Sequence, residues 1–359
     1  MPLQGYVRFP AIFHDRIVFV SEDDLWLVSS EGGRAERLTA GVAEVGYPRF
    51  SPDGTQLAFV GREEGPSEVY VMPALGGPAR RLTFHAGSCR VLGWSPSGEE
   101  ILYASNAGQF SPRFEVIYAI SVTGGLSTPQ PYGMANAISF SQDGGVVLGR
   151  NINVRDFSHW KRYRGGTAGH LWCDRDGNGE FQHLLRLEGN IADPCWVGDR
   201  IYFLSDHDGV GNLYSCTPDG EDLRHHTDHD DFYARHLSTD GQRLVYHSGA
   251  DLFLYDPAEA GKARRLDITL PSLRTQLSRK FVSAAAYLDT YALHPQGYSL
   301  ALTTRGKAFT MGNWEGPVLQ HGAADGVRYR FLEWLNDGKR LVAVHDAPGR
   351  EALLVFEPA

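Results

Sequence analysis

Phe50–Ser51–Pro52–Asp53–Gly54, followed by Leu57–Ala58–Phe59–Val60, sets the period of the whole chain. The first five residues end a strand and turn the backbone; the next run starts another strand. Pro52 presets φ at the second turn position, Asp53 can bond nearby backbone, and Gly54 suits the fourth place of a type I turn. The unit returns as Trp94–Ser95–Pro96–Ser97–Gly98, Phe140–Ser141–Gln142–Asp143–Gly144, Leu237–Ser238–Thr239–Asp240–Gly241, Leu293–His294–Pro295–Gln296–Gly297 and Trp334–Leu335–Asn336–Asp337–Gly338. A worn copy sits at Trp196–Val197–Gly198–Asp199. The spacing, roughly 40 to 56 residues, is that of propeller blades and other large repeats.

Between these turns lie apolar strands of about five residues, bounded by Gly, Pro and Asp. Ile17–Val20 and Leu25–Val28 belong to the first blade, Leu57–Val60 and Val69–Val71 to the second. Four further blades follow, up to Leu244–Tyr246 and Leu252–Tyr255. The period then lapses and resumes for two blades only. No amphipathic helix of any length is apparent, as expected where each sheet buries both faces on its neighbours. A single eight-bladed ring is one architecture. A six-bladed ring with the opening of a second fits better, because the interruption follows the sixth blade. The expectation is therefore an all-β chain: a six-bladed β-propeller over residues 1–268, a connector over 269–285, and the first two blades of a second propeller over 286–359. Two blades cannot close a ring and would leave edges and apolar faces exposed. The chain reads as part of a longer polypeptide.

The net charge of −9 argues against nucleic acid or an anionic membrane as partner. The N-terminus lacks a basic segment followed by an apolar run, and no stretch reaches the roughly 20 apolar residues that span a bilayer. Cys89, Cys173, Cys195 and Cys216 have no CxxC spacing and lie in or beside apolar strands. They read as reduced, buried thiols in a cytoplasmic protein, with a bridge or metal site left open.

Candidate chemistry is sparse. A serine hydrolase elbow, G-x-S-x-G, does not occur. Asp174–Arg175–Asp176–Gly177–Asn178–Gly179–Glu180 resembles the start of a calcium loop, but its twelfth place is Leu185, where a bidentate Glu is needed. It reads as a hairpin turn. His225, His226 and His229 have the atoms of a metal site without a standard spacing. His294 occupies a turn position and reads as structural. No metal and no cofactor is expected. The insertion from Asn151 to Gly169 mixes basic and aromatic residues, a combination suited to peptide binding or domain contact.

Within it, His159–Trp160–Lys161–Arg162–Tyr163–Arg164–Gly165–Gly166–Thr167–Ala168–Gly169–His170–Leu171–Trp172 resembles the signature in the first propeller of tricorn-type proteases. Val20–Ser21–Glu22–Asp23–Asp24–Leu25–Trp26, Ile201–Asp206 and Ala234–Gly241 are similar as well. The resemblance covers nearly the whole chain. It implies a six-bladed propeller followed by a seven-bladed one, with the serine nucleophile in a C-terminal part outside these residues. It implies a cytosolic, peptide-trimming enzyme assembled as a hexamer, whose partners are peptides and the rest of the protease polypeptide. No catalytic residue carries over. One substrate contact does: an arginine pair before the third blade holds the peptide's terminal carboxylate in the family, and here the place reads Cys89–Arg90. Arg90 is the expected anchor. Trp160, Lys161, Arg162, Tyr163 and Arg164 are the expected channel or domain contact. The alternative is a stand-alone propeller, similar to the TolB family, that binds a protein partner without catalysis. An eight-bladed enzyme with its site in the pore is a third reading, without convergent residues to support it.

Overall fold

The Ser51–Gly54 turn closes with Gly54 N–H donating to the Ser51 carbonyl at 2.8 Å. Ser51 Oγ donates to Asp53 Oδ1 at 2.6 Å, and Thr55 N–H donates to the same oxygen at 3.0 Å. Gly54 sits at φ +67°, and a Cβ there would lie 2.1 Å from the Phe13 ring, so glycine is required twice over. The same N–H-to-carbonyl closure recurs at Gly98, Gly297 and Gly338.

The computed structural model describes residues 6–41, 43–150, 161–259, 262–272, 284–347 and 349–356. It comprises two units, Met1–Leu273 and Arg274–Ala359. In the first, antiparallel sheets span residues 8–37, 45–81, 89–134, 137–183, 191–225 and 234–265. Their first strands (Arg8–Phe13, Val45–Phe50, Cys89–Trp94, Ala137–Phe140, Ile191–Val197 and Ala234–Thr239) neighbour one another in a cycle that returns to its start. This is a closed six-bladed β-propeller. Among the described residues no helix is long and apolar enough to cross a membrane.

Each blade is apolar on both faces, and each gap between blades holds its own core. Phe59, Tyr70 and Leu25 fill the gap between blades 1 and 2. Ile101, Tyr103 and Val71 fill the next. The gap that closes the ring joins Ile17, Phe19 and Trp26 to Val245, Leu252 and Leu254. Ile268–Thr269 then pairs in parallel with Gly33–Arg34, adding a fifth strand to the first blade from the far end of the sequence.

A polar clasp recurs beneath the strands. In blade 2 the Thr83 hydroxyl accepts from Val69 N–H at 2.9 Å and donates to the buried carboxylate of Glu68. Thr39 does the same with Leu25 N–H and Asp24 in blade 1, and Thr227 with Leu213 N–H and Asn212 in blade 5. One hydroxyl thus satisfies a buried donor and a buried acceptor, tying the end of one strand to the start of another.

Among its described residues the second unit contains one helical turn, Ala284–Tyr287, a four-stranded sheet and a three-stranded sheet. Ala292, Ala301, Leu332, Leu341 and Ala343 form its core. Here burial is one-sided. Tyr291 and Leu293 in the first strand and Leu353 and Val355 in the last are exposed, at 70%, 58%, 75% and 45%. In blades 2 and 5 of the ring, by contrast, the second and third strands are buried along almost their whole length.

Replacing Thr83 by Val strands the Val69 N–H and one oxygen of Glu68. This is expected to cost about 1–3 kcal/mol, read as a lower urea midpoint, with Thr83→Ser retaining most of the stability. Equal midpoints for Thr83→Val and the unaltered chain would count against the clasp.

Candidate functional site: the central channel

The six inner strands enclose a cavity of about 600 Å³, lined by residues from every blade. It extends from the middle of those strands to the turns at Ser51–Pro52, Ser95–Pro96 and Ser141–Gln142.

The inner strands around it share an unusual backbone feature. Phe9, Tyr47, Asp193 and His236 have φ of 51°, 50°, 50° and 54°. Each lies where its inner strand slips register: between Arg8 and Ala11, Gly46 and Arg49, Ala192 and Cys195, and Arg235 and Ser238. These are β-bulges at equivalent places in blades 1, 2, 5 and 6, and they re-aim one side chain per blade. A left-handed conformation costs a non-glycine residue about 1–3 kcal/mol. The three of these residues that carry rings gather: Phe9 lies 4.3 Å from Tyr47 and 4.4 Å from His236 between centroids. Asp193, the fourth, accepts from Leu237 N–H of the next blade at 3.3 Å.

Blades 2, 3 and 4 line the cavity with Arg49, Arg90 and Arg150. Arg90 Nη2 donates to Glu115 at 2.6 Å, while its Nε is buried without a partner. Burial opposes the charge of Arg90, yet Glu115, Tyr47 and Asp193 together outweigh it and hold the guanidinium more firmly protonated than usual. Arg49 donates to the Leu92 carbonyl at 3.1 Å and the Pro48 carbonyl at 2.8 Å. Burial lowers its pKa, and the charge of Asp193 offsets this only in part. Gly93 also lines the cavity and has open space where a Cβ would stand.

Of the other expected site residues, Lys161, Arg162, Tyr163 and Arg164 do not line this cavity. They rest on the loops of blades 5 and 6. Arg162 N–H donates to Asp206 Oδ2 at 2.6 Å, Arg164 donates to the His207 carbonyl at 3.2 Å, and Lys161 Nζ lies 5.3 Å from the Tyr233 ring centroid. The Tyr163 hydroxyl accepts from Thr167. Trp160 lies outside the described residues. Asp206, buried at the centre of this knot, also accepts from Asn190 N–H at 2.8 Å.

The histidine cluster diverges. His225 stacks on Tyr214, His226 sits between Ser215 Oγ and the Tyr255 hydroxyl, and His229 Nε2 meets the Tyr246 hydroxyl. Asp174 accepts from Asn178 and Gly179 N–H groups, as a hairpin turn requires. His294 is buried and bonds to the Gly338 carbonyl at 2.8 Å. All four cysteines are free and buried; burial pushes Cys89, Cys173 and Cys216 up to about 12, so they stay unreactive thiols.

The family described as the tricorn protease N-terminal beta propeller domain matches residues 4–261. The chain belongs to the tricorn protease family. It is 44% identical over 360 residues to tricorn protease homolog 1 of Streptomyces coelicolor, covering 99% of this chain and 33% of that protein. The crystal structure of the tricorn protease superposes with a TM-score of 0.78 at 28% identity, over 99% of this chain and 34% of the other. A chain of Sulfurisphaera tokodaii named as the N-terminal subunit of a tricorn-like protease is 30% identical over 179 residues, 48% of this chain and 89% of that one. The chain thus spans about a third of the length of full-length tricorn relatives.

In this tricorn propeller, burial and then the charges of Arg200 and Arg224 push His226 down to about 4. An unfolded histidine titrates near 6.5, so between these values the unfolded chain binds a proton that the folded chain does not. Stability is expected to fall as pH drops through that window. His226→Gln should flatten part of the fall in thermal melts at about pH 7, 5.5 and 4.5; an equally steep fall in the variant would count against this assignment.

Proposed function

We propose that these residues form the N-terminal propeller portion of a tricorn-like cytosolic serine protease that trims peptides. They act as a channel and docking surface, and the catalytic part lies outside this chain. One observation carries the reading: a ring matching the family's N-terminal domain encloses a cavity lined by all six blades. Peptides are the substrates, and Arg90 is the anchor for a terminal carboxylate. Its unpartnered Nε and its firm protonation suit that role. The segment from Lys161 to Arg164 serves as a contact between blades and with neighbouring domains.

The second unit is the opening of a further, seven-bladed type of ring. The exposed Tyr291, Leu293, Leu353 and Val355 support this, since a blade with one bare apolar face requires another blade against it. The rest of the protease polypeptide supplies those blades. A cytoplasmic homo-oligomer, hexameric as in the family, completes the assembly.

The test uses the natural full-length polypeptide. Gly93→Trp narrows the channel where there is open space. It is expected to lower kcat/KM for peptides of ten or so residues at least about tenfold, leaving the melting temperature unchanged. Unchanged turnover in a folded variant would show that peptides take another route. The 359-residue chain alone is expected to cleave no fluorogenic peptide. Turnover abolished by replacing one of its own serines would overturn the assignment of catalysis elsewhere.

A further inference from the structure

The second unit holds a cavity of its own, about 730 Å³, beside the turn that joins Ser299–Thr304 to Lys307–Gly312. Tyr287, Leu288, Asp289, Arg305 and Arg328 line it. Thr304 pairs with Lys307, so the loop between them has two residues, and both have positive φ: 50° at Arg305 and 74° at Gly306. Such a turn favours asparagine or aspartate before the glycine. A long side chain at its first place carries backbone strain. The turn also rests on the next sheet. The Gly306 carbonyl accepts from Tyr329 N–H at 2.8 Å, and a Cβ on Gly306 would stand 3.0 Å from Arg328 Cγ. The Arg328 side chain therefore starts against the turn that carries Arg305. The Arg305 guanidinium lies 5.6 Å from the Tyr287 ring centroid. Among the described residues neither guanidinium meets a carboxylate, whereas Lys307 is paired with Asp325 at 3.0 Å. Asp346, also on the wall, accepts from Arg328 N–H at 2.8 Å. Asp289 is the extra residue where the first strand slips register between Leu288 and Thr290, and among the described residues its carboxylate has no donor.

We propose that this cavity binds the free carboxyl terminus of a peptide. Arg305 and Arg328 take the carboxylate, which matches the planar guanidinium fork. Asp289 accepts from the last amide N–H. Tyr287 and Leu288, each 48% exposed, pack against the last side chain. The two kinds of charge on one wall select this ligand: inorganic phosphate would suit the arginines and be repelled by Asp289, whereas a peptide end carries an anion and, one Cα away, a donor. The proposal rests on the reading that peptides are the substrates. It adds a place in the second unit where one is held, besides the Arg90 anchor of the ring.

The probe is acetyl-Gly-Ser-Gly-Leu with a free carboxyl terminus, set beside its terminal amide. Phenylglyoxal labelling of the full 359-residue chain, read by mass spectrometry, reports each arginine separately. The acid is expected to slow modification of Arg305 and Arg328 and to leave the exposed Arg175 unaffected; the amide should protect neither. Arg305→Asn gives the turn the Asn-Gly pair that hairpins favour. It should keep or raise the melting temperature, yet raise the concentration of acid that protects Arg328 about tenfold. Equal protection by the amide or by inorganic phosphate would overturn the assignment to a peptide terminus. So would an Arg305→Asn variant that binds as the unaltered chain does. Protection of Arg90 alone would remove this site and leave the peptide reading standing, and protection of no arginine would count against both.

Discussion

A sheet that is apolar on both faces must be covered twice, and a row of such sheets stays uncovered at its ends until it bends into a ring. That constraint organises the first unit. Phe19 and Trp26 on one blade need Val245 and Leu254 on another, although the sequence separates them by most of the ring. Closing the row brings six inner strands to a common axis. The blades hold their cores further out, so the axis is left for groups that no core could accommodate. Arginines, carboxylates and half-buried aromatic rings collect there.

Much of this is readable along the chain because it is local. The Ser51–Gly54 turn depends on four adjacent residues, and its copies mark the blades without reference to anything distant. Strand positions follow from short apolar runs between turns. The stretch from Trp160 to Trp172 points to a family by residue identity alone. Arg90 emerged by the same comparison, and it does line the cavity. The bulges are less legible. One extra residue in a six-residue strand barely disturbs an apolar pattern. The available signal was proline inside the inner strands, at Pro10, Pro48 and Pro194, each directly after a bulge residue.

Arg150 shows why the rest was hidden. At sequence level it ends an ordinary strand, next to a segment with many charges. Whether a charge has a counter-ion depends on neighbours that only folding supplies, here Tyr132 on one side and Trp172 on the other. The histidines fail in the opposite sense. His225, His226 and His229 look convergent when written in a row, yet each is drawn to a different aromatic partner. Composition records that donors are present, while the pleat decides whether they meet.

The fifth strand of the first blade has a temporal meaning. Gly33–Arg34 leaves the ribosome early, but its partner Ile268–Thr269 is made only after the whole of the intervening ring. At about 5–20 residues per second, translation leaves that edge waiting for on the order of 10 to 50 s. During that interval the first blade has one face covered and the other bare, and loop-closure entropy disfavours any early substitute for the missing contact. The nascent chain is thus a stack of finished blades with one unfinished joint until Ile268–Thr269 is made.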